Sequence, residues 1–350
     1  MTTRWVPKYC VWETTLACNA ACVHCGSGAG SARAEELSTE EAFAMIRALA
    51  KLRCESVTLS GGEPLVRRDW PLLAERITET GMRAELITNG LLVDERADDI
   101  RDAGLFAVTM SVDGTAAVHD GLRGVTGALD QLLKGAAALV SRGVRIGAVT
   151  QINKRNIHQL EAIHDLIREN GFEGWQVQLT VPLGRAERRR SDLFLAPQDL
   201  LTIESVLSRI RSRSDLFIQI ADTIGYMGRA EPALRSGTGV AEGLWPGCSA
   251  GLRAVGITSD GTVRGCLSMA PCFDEGNIRE RPLESIWNDE TAFAYNRSFS
   301  PATLKGACAT CALARFCRGG CTNLAFVTSG DAGRQTYCLR QVYKREVPFA

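Results

Sequence analysis

The sequence predicts an α/β fold, namely a partial (β/α)6 barrel of the TIM type followed by a small cysteine-rich domain. Two observations predict it. Residues 9–179 alternate short β-rich runs with helical runs, and the thirteen cysteines fall into an early and a late group. The early group ends at Cys54, and the next cysteine is Cys248. With 350 residues, 45% of them hydrophobic, the chain can bury one large core and a smaller one.

Six β-rich runs justify the barrel, because a helical run follows each of them. The predicted strands are Tyr9–Thr15, Ser56–Ser60, Ala84–Thr88, Ala107–Val112, Arg145–Gln151 and Trp175–Leu179. Ser38 and Glu41 form a capping box before the first helix, and Asp69 can cap the second. Glycines at C′ positions end four helices, at Gly81, Gly104, Gly143 and Gly171. Six consecutive βα units imply a parallel sheet with right-handed crossovers and an active site at the carboxyl ends of the strands.

The chain divides into three predicted regions. Residues 1–182 form the barrel, residues 183–247 form a connector, and residues 248–350 form the cysteine-rich domain. The connector contains a predicted helix from Pro197 to about Arg213. It also carries a basic run, which we interpret as a solvated turn, with a docking patch for an acidic peptide as the alternative. This run comprises Arg185, Arg188, Arg189 and Arg190.

Charge and hydropathy exclude several classes of function. Forty basic and forty acidic residues cancel, whereas nucleic-acid or anionic-membrane binding demands a basic excess. The first 17 residues lack a signal-peptide apolar core, and no stretch reaches the roughly 20 apolar residues of a membrane span. We therefore expect a cytoplasmic protein with neither nucleic-acid nor membrane partners. In that reducing compartment, clustered cysteines indicate metal ligands and not disulfides.

The early cysteine group lies directly after the first strand. Cys18, Cys22 and Cys25 follow a CxxxCxxC spacing, so three thiolates share one short loop. Three thiolates can hold three irons of a cubane and leave the fourth iron open, as a catalytic metal site requires. The alternative is a zinc site, for which His24 would be a poor fourth ligand because it is adjacent to Cys25.

This spacing, followed by Gly61-Gly62-Glu63-Pro64 at the end of the second strand, resembles the radical S-adenosylmethionine (SAM) superfamily. The resemblance implies a [4Fe–4S] cluster on the three cysteines, whose open iron chelates the amino and carboxylate groups of SAM. It implies that the glycine-rich turn receives the methionine amino group, and glycine suits a backbone that approaches a ligand closely. Reductive cleavage of SAM would then give a 5′-deoxyadenosyl radical that takes a hydrogen atom from a substrate.

Further residues at strand ends match the family less specifically. The resemblance implies contacts with SAM from Asn89 after the third strand, from Ser111 and Asp113 after the fourth, and from Gln151 and Asn153 after the fifth. The alternative for each is a polar strand-end residue that faces water. The family usually has an aromatic residue at the position of His24, whose backbone meets the adenine. Histidine departs from that pattern, although its planar ring still fits.

The late cysteine group resembles the SPASM pattern along its full length. The resemblance implies a first auxiliary cluster on Cys248, Cys266 and Cys321, with Cys272 as an undecided fourth ligand. It implies a second auxiliary cluster on Cys308, Cys311, Cys317 and Cys338, which gives three [4Fe–4S] clusters in all. Two zinc ribbons are the alternative. Cys10 and Cys54 are expected to be buried thiols that act as small hydrophobes, with hydrogen-atom donation as the alternative.

The resemblance predicts the chemistry more narrowly than the substrate. We expect a radical SAM enzyme that oxidatively modifies a ribosomally synthesised peptide, for example by crosslinking or epimerisation. One alternative is dehydrogenation of a small sugar or aminocyclitol alcohol, and another is a non-enzymatic metal-binding or electron-transfer module. The expected partners are an electron donor such as flavodoxin or ferredoxin and, since only 17 residues precede Cys18, a separate peptide-recognition protein.

Overall fold

A computed structural model describes residues 5–235 and 245–346. The first six strands lie side by side in chain order and are all parallel, as the six predicted βα units imply. Their bounds are β1 Tyr9–Thr15, β2 Ser56–Gly61, β3 Arg83–Thr88, β4 Ala107–Ser111, β5 Ile146–Ile152 and β6 Gly174–Leu179. Each lies within a residue or two of its predicted position. The predicted fold class is therefore confirmed.

Helices connect these strands and cover the sheet. They are α1 Thr39–Lys51, α2 Trp70–Glu79, α3 Ala97–Asp102, α4 Ala116–Arg123, α5 Ala128–Ser141 and α6 Leu160–Glu169. The predicted capping box at Ser38 is present, with Glu41 N donating to Ser38 Oγ over 3.2 Å. Asp69 lies at the N-cap position of α2, as predicted, but its carboxylate does not cap the helix, because it accepts instead from Thr39 at 2.6 Å and from Arg67 at 2.7 Å.

The sheet has a seventh parallel strand that was not predicted. Residues Phe217–Ile220 form β7, which pairs with β6 at the edge of the sheet and follows the predicted connector helix. That helix is α9, Asp199–Arg213, and it is preceded by two short helices, α7 Gly184–Glu187 and α8 Arg190–Leu193. The segment that was expected only to connect two domains thus extends the sheet. A further short helix, α10 Glu231–Arg235, follows β7.

The cysteine-rich region continues the same sheet on its other side. Strand β8 Ala254–Ile257 pairs in parallel with β1, and β9 Thr262–Arg264 and β10 Gly276–Asn277 follow antiparallel. The full order is β10-β9-β8-β1-β2-β3-β4-β5-β6-β7. The remaining helices are α11 Leu283–Trp287, α12 Ala294–Arg297, α13 Ala314–Cys317, α14 Thr322–Ser329 and α15 Leu339–Glu346.

One apolar core spans the barrel and the start of the cysteine-rich region. Trp12 on β1 and Trp287 on α11 belong to the same buried cluster, and both are essentially inaccessible to solvent. Burying two such side chains stabilises the fold by roughly 2–3 kcal/mol each. On the surface, Arg279 Nε lies 2.6 Å from Glu41 Oε1 and ties the two regions together. No helix among the described residues is both long and apolar enough to cross a membrane.

Candidate metal centres

The loop that carries the early cysteines is closed by backbone hydrogen bonds at its base. Cys18 N donates to Gly30 O over 2.9 Å, and Gly30 N donates to Leu16 O over 3.0 Å. Within it, Cys22 is buried, whereas Cys18 and Cys25 are partly accessible. All three pack in one small cluster with Ala20, Leu91 and Ala128. The fold thus brings the three predicted ligands together at the carboxyl end of β1.

Two nitrogen donors face the sulfurs of this loop. Arg123 Nη1 lies 3.8 Å from Cys22 Sγ, and Asn89 Nδ2 lies 3.8 Å from Cys18 Sγ. Burial raises the pKa of the Cys22 thiol, and the positive charge of Arg123 opposes that effect. Donors aimed at sulfur stabilise thiolates, which are the form that binds iron. The three-cysteine set and its surroundings therefore fit an iron–sulfur cluster.

The glycine-rich turn after β2 is built against the chain that enters the loop. Gly62 N donates to Thr15 O and Glu63 N donates to Ala17 O, each over 2.8 Å. A Cβ atom at Gly61 would lie 2.4 Å from Thr15 O, and one at Gly62 would lie 2.1 Å from Ala17 O. Gly61 also has φ +123°, which favours glycine. Close packing against this backbone therefore requires glycine at both positions, in addition to any approach of a ligand.

Glu63 connects the ends of β2 and β3 through its side chain. The carboxylate accepts from Thr88 Oγ1 at 2.8 Å, from Asn89 N at 2.7 Å and from Leu65 N at 3.2 Å. It is fully buried, and burial raises its pKa to about 7 against the effect of these hydrogen bonds. Pro64 begins a short 3-10 turn directly after it. Glu63 thus holds Asn89 in the position from which it faces Cys18.

Asp113 is the centre of a buried ionic network after β4. Its Oδ2 atom lies 2.5 Å from Arg123 Nη2 and 2.9 Å from His24 Nε2. Its Oδ1 atom accepts from the backbone amide of Gln151 at 2.9 Å. The other ring nitrogen of His24 lies 3.2 Å from Leu122 O. His24 lies in the loop that carries the early cysteines, residues 18–30, which we call the cluster loop. Its side chain therefore points into the protein and links that loop to β4.

The remaining predicted SAM contacts differ in burial and in whether their side chains are hydrogen-bonded within the protein. Ser111 is buried at the end of β4, and Gln151 is half-buried on β5. Asn153 is fully buried and hydrogen-bonded within its own turn, donating to Gln151 O at 3.0 Å and accepting from Arg155 N at 3.0 Å. Neither water nor a ligand is therefore needed to satisfy the Asn153 side chain.

Two arginines that bear on the site were missed. Arg123 ends α4, where sequence pattern favours a solvent-facing cation, and only the tertiary fold turns it towards Cys22. Arg185 was interpreted as part of a solvated turn, which is wrong. Its Nε donates to Cys22 O over 2.9 Å, its Nη1 donates to Ala29 O, and its backbone amide donates to Cys25 O over 2.9 Å.

The family resemblance implies two sets of late cysteines. In the first, the contact with Cys321 and the amides of Thr322 and Ala250 lower the pKa of Cys248. Cys266 packs against the same group of buried side chains. In the second, Cys308, Cys311, Cys317 and Cys338 lie near enough for their thiolates to interact electrostatically. Cys272 is exposed. Within the described ranges, no three His, Cys, Asp or Glu side chains converge on a single metal ion. A cubane has no such need, because each thiolate binds its own iron.

The open, mostly parallel sheet, the three-cysteine loop at its carboxyl edge and the cysteine-rich extension are typical of a barrel enzyme that binds iron–sulfur clusters. Residues 12–167 match the family model of the radical SAM superfamily, and residues 248–312 match that of the SPASM iron–sulfur cluster-binding domain. The chain is 31% identical to the AdoMet-dependent heme synthase of Methanosarcina barkeri, over 97% of this chain and 98% of that protein. It is 30% identical to the mycofactocin maturase of Mycobacterium tuberculosis, over 92% and 80% respectively.

A solved structure shows the same fold. SuiB of Streptococcus suis, bound to its precursor peptide SuiA, superposes with a TM-score of 0.75 at 20% identity, over 95% of this chain and 76% of that one. The chain therefore belongs to the radical SAM superfamily and to its SPASM-domain subfamily, as the motifs predicted. It is an enzyme whose two domains imply SAM and iron–sulfur clusters as cofactors.

Proposed function

We propose that this enzyme cleaves SAM reductively and uses the resulting 5′-deoxyadenosyl radical to modify a ribosomally synthesised peptide oxidatively. Cys18, Cys22 and Cys25 would hold a [4Fe–4S] cluster, which supplies the electron for cleavage when it is reduced. One observation carries the radical chemistry: three thiolates share a closed loop, two of them face nitrogen donors, and no fourth cysteine joins them among the described residues. An open iron is what SAM requires.

The predicted SAM contacts then separate into two roles. The turn at Gly61 and Gly62, together with Ser111 and Gln151, has groups that remain available to a ligand. The side chains of Glu63, Asp113, Asn153, Asn89 and His24 are already held by hydrogen bonds or ion pairs within the protein. We therefore assign these five to positioning the loop and strand ends, and not to binding SAM through their side chains.

The two late groups of cysteines would hold two auxiliary [4Fe–4S] clusters. The second group supplies four thiolates, so its cluster would be closed. The first supplies Cys248, Cys266 and Cys321, and it would keep an open iron because Cys272 is exposed. An open auxiliary iron could accept an electron from a substrate radical, which would make the overall reaction an oxidation.

Two observations support a peptide as the substrate. The chain is similar over most of its length to the mycofactocin maturase. In addition, an open groove of about 540 Å³ lies next to the cluster loop, lined by residues that include Ala17, Leu37, Arg67 and Asp69. An open groove with charged walls suits an extended peptide, whereas small-molecule sites are mostly enclosed and apolar.

A tetrapyrrole is the second candidate substrate. It is favoured by the full-length similarity to the AdoMet-dependent heme synthase. Such a macrocycle is large, flat and rigid, so it would need a wider and flatter site than an extended peptide. The two candidate functions use the same radical step and differ only in the substrate that the deoxyadenosyl radical attacks.

The test is an anaerobic assay of the reconstituted enzyme with SAM and dithionite, in which 5′-deoxyadenosine is quantified by chromatography. Candidate precursor peptides and an iron porphyrin are added in parallel, and their products are identified by mass spectrometry. We expect deoxyadenosine in all assays and a change of mass, or deuterium uptake from solvent, in one peptide. If only the porphyrin is modified, the substrate is a tetrapyrrole and not a peptide.

Matched cysteine variants control for general damage to the protein. Alanine at Cys18, Cys22 and Cys25 should abolish deoxyadenosine formation. Cys54→Ala removes a buried thiol that is hydrogen-bonded to Ser56 O and lies outside all three groups, so it should leave SAM cleavage unchanged. Deoxyadenosine formation by the triple variant at the wild-type rate would overturn the assignment of the cluster.

A further inference from the structure

The short helices α7 and α8 are attached to the loop that carries the early cysteines. Besides the hydrogen bonds of Arg185 to Cys22 O and Cys25 O, the backbone itself is in contact there. Gly184 has φ +56°, and a Cβ atom at this position would lie 2.4 Å from Gly26 O. The segment 184–193 is therefore fixed to the outer side of the cluster loop.

One face of this segment is anchored and the other faces solvent, where Arg189 pairs with Asp192 and Arg190 pairs with Glu187. Ala186 and Leu193 are fully buried against Leu122 of α4. Val23 of the cluster loop packs against the same group of apolar side chains. The opposite face carries Arg188, Arg189 and Arg190, all of which are exposed. These solvent-facing cations therefore have a fixed position relative to the metal-binding loop.

This face has a strong local excess of positive charge, and we call it the arginine patch. Lys154 joins it through a 3.0 Å hydrogen bond from Nζ to Ser191 O, and Arg155 joins it through an ion pair with Asp192. Five cations and two anions leave it with a net charge of +3, although the whole chain has a net charge of zero. The patch comprises Lys154, Arg155, Glu187, Arg188, Arg189, Arg190 and Asp192.

The cluster that Cys25 helps to hold must receive an electron from outside the protein. Electron transfer slows steeply with distance, so a protein donor has to dock close to this loop. Gly26 and Ser27 are exposed and Cys25 is partly accessible, which makes this the side where the loop meets solvent. The arginine patch is the charged surface beside it.

We propose that the arginine patch is the docking site for an acidic one-electron donor protein of the flavodoxin or ferredoxin type. The reduced donor would lose one electron and the cluster would gain it, with no atom transferred. Encounters of electron-transfer proteins are small and transient, and complementary charge sets their rate and orientation. This proposal rests on membership of the family and on the cluster loop, and it is independent of the substrate.

The test compares two charge-reversed variants of the full-length, reconstituted enzyme. One is Arg188→Glu with Arg189→Glu in the patch. The matched control is Arg47→Glu with Arg213→Glu, which changes the same charge at two exposed arginines on α1 and α9. The rate of cluster reduction by a reduced acidic flavodoxin is followed by electron paramagnetic resonance of rapidly frozen samples, with dithionite as the small-molecule reductant.

We expect the patch variant to lose about tenfold or more in the rate with flavodoxin at low salt. Its rate with dithionite should match that of the wild type, and the control variant should be normal with both. Raising the salt should slow the wild type towards the variant, because the attraction is screened. The inference fails if the patch variant is reduced by flavodoxin at the wild-type rate.

Two other outcomes also overturn it. An equal loss with flavodoxin and with dithionite would mean that the substitutions disturb the cluster loop. Normal reduction by flavodoxin, combined with a raised KM for a modified peptide, would mean that the patch binds an acidic peptide. Because reduction of the cluster is measured without substrate, the rate with flavodoxin tests the docking site whether the enzyme acts on a peptide or on a tetrapyrrole.

Discussion

The guanidinium of Arg123 bridges Cys22 and Asp113, with Nη1 at 3.8 Å from Cys22 Sγ and Nη2 at 2.5 Å from Asp113 Oδ2. Arg123 and Asp113 are both buried, and Asp113 also contacts His24 of the cluster loop. The desolvation of these charges is offset only while all of the partners are present. The network therefore couples the charge beside a metal ligand to the position of the loop.

We predict that Arg123→Met lowers the reduction potential of the SAM-binding cluster. A positive charge beside a ligand sulfur favours the reduced, more negative cluster, and its loss removes that effect. A charge-assisted hydrogen bond is worth about 1.5–3 kcal/mol. Even 1.4 kcal/mol corresponds to about 59 mV for one electron. A redox titration monitored by electron paramagnetic resonance measures the shift, and Arg123→Lys should retain most of the wild-type potential.

The single variant also leaves Asp113 without its main partner, which we expect to cost about 3–5 kcal/mol of unfolding free energy. Arg123→Met combined with Asp113→Asn should recover part of this stability while the potential stays low. Recovery of both together would mean that the shift arose from damage to the fold. A potential unchanged in all of the variants would show that Arg123 has no influence on the cluster.

Gly62→Ala is predicted to abolish cluster binding. Its Cβ atom would meet Ala17 O at 2.1 Å, and neither the turn nor the base of the loop can move without breaking their shared hydrogen bonds. Iron and sulfide analysis should show about four irons fewer per chain than in the wild type. The matched control is Gly30→Ala in the same loop, where a Cβ atom meets nothing within 4 Å. Equal iron contents in the two variants would contradict this steric argument.

The six central strands were predictable because each carries its own local pattern of β-branched and apolar residues between glycine-ended helices. Strand β7 was not, because Phe217–Ile220 is short and exposes alternate residues at the edge of the sheet. The pairing of β8 with β1 was also missed. It joins Tyr9 to Ala254 across most of the chain, and local periodicity contains no information about such a pairing.

The candidate site likewise contains features that the local sequence predicts and features that only tertiary packing determines. The cysteines and the glycine-rich turn could be predicted because their spacing is a local property of the sequence. The inward orientation of His24 and the bridging position of Arg123 depend on how the loop packs against α4, which only the tertiary structure supplies. Asp69 occupies its predicted position but does not cap α2 for a related reason, since Arg67 and Thr39 compete for the carboxylate that would otherwise cap the helix.

His119 is predicted to make the protein less stable at mildly acidic pH. Burial lowers its pKa from 6.5 to about 4, and its Nδ1 accepts a hydrogen bond from Asp113 N at 3.2 Å. The unfolded chain therefore binds a proton between pH 6.5 and 4 that the folded chain does not, so stability falls as the pH is lowered through this window. From pH 7 to pH 5 the loss is about 2 kcal/mol.

The variant His119→Asn tests this prediction, because its amide oxygen can keep the hydrogen bond while no group titrates. Anaerobic denaturant unfolding of both proteins at pH 7 and pH 5 gives the comparison. The wild type should lose about 2 kcal/mol more than the variant over that interval. Parallel losses in the two proteins would assign the acid sensitivity to other groups.

Cys272→Ala is predicted to retain all of the iron. Cys272 is exposed on a short 3-10 turn, whereas Cys248 and Cys321 are buried in contact with each other, and backbone amides lower the pKa of Cys248. Because a surface thiol would have to be drawn inwards to become a ligand, the first auxiliary cluster should assemble on three cysteines. Cys308→Ala, which removes a buried thiol of the other group, should instead lose about four irons. If Cys272→Ala lost a comparable amount, Cys272 would be the fourth ligand, and the first auxiliary cluster would have no open iron for a substrate radical.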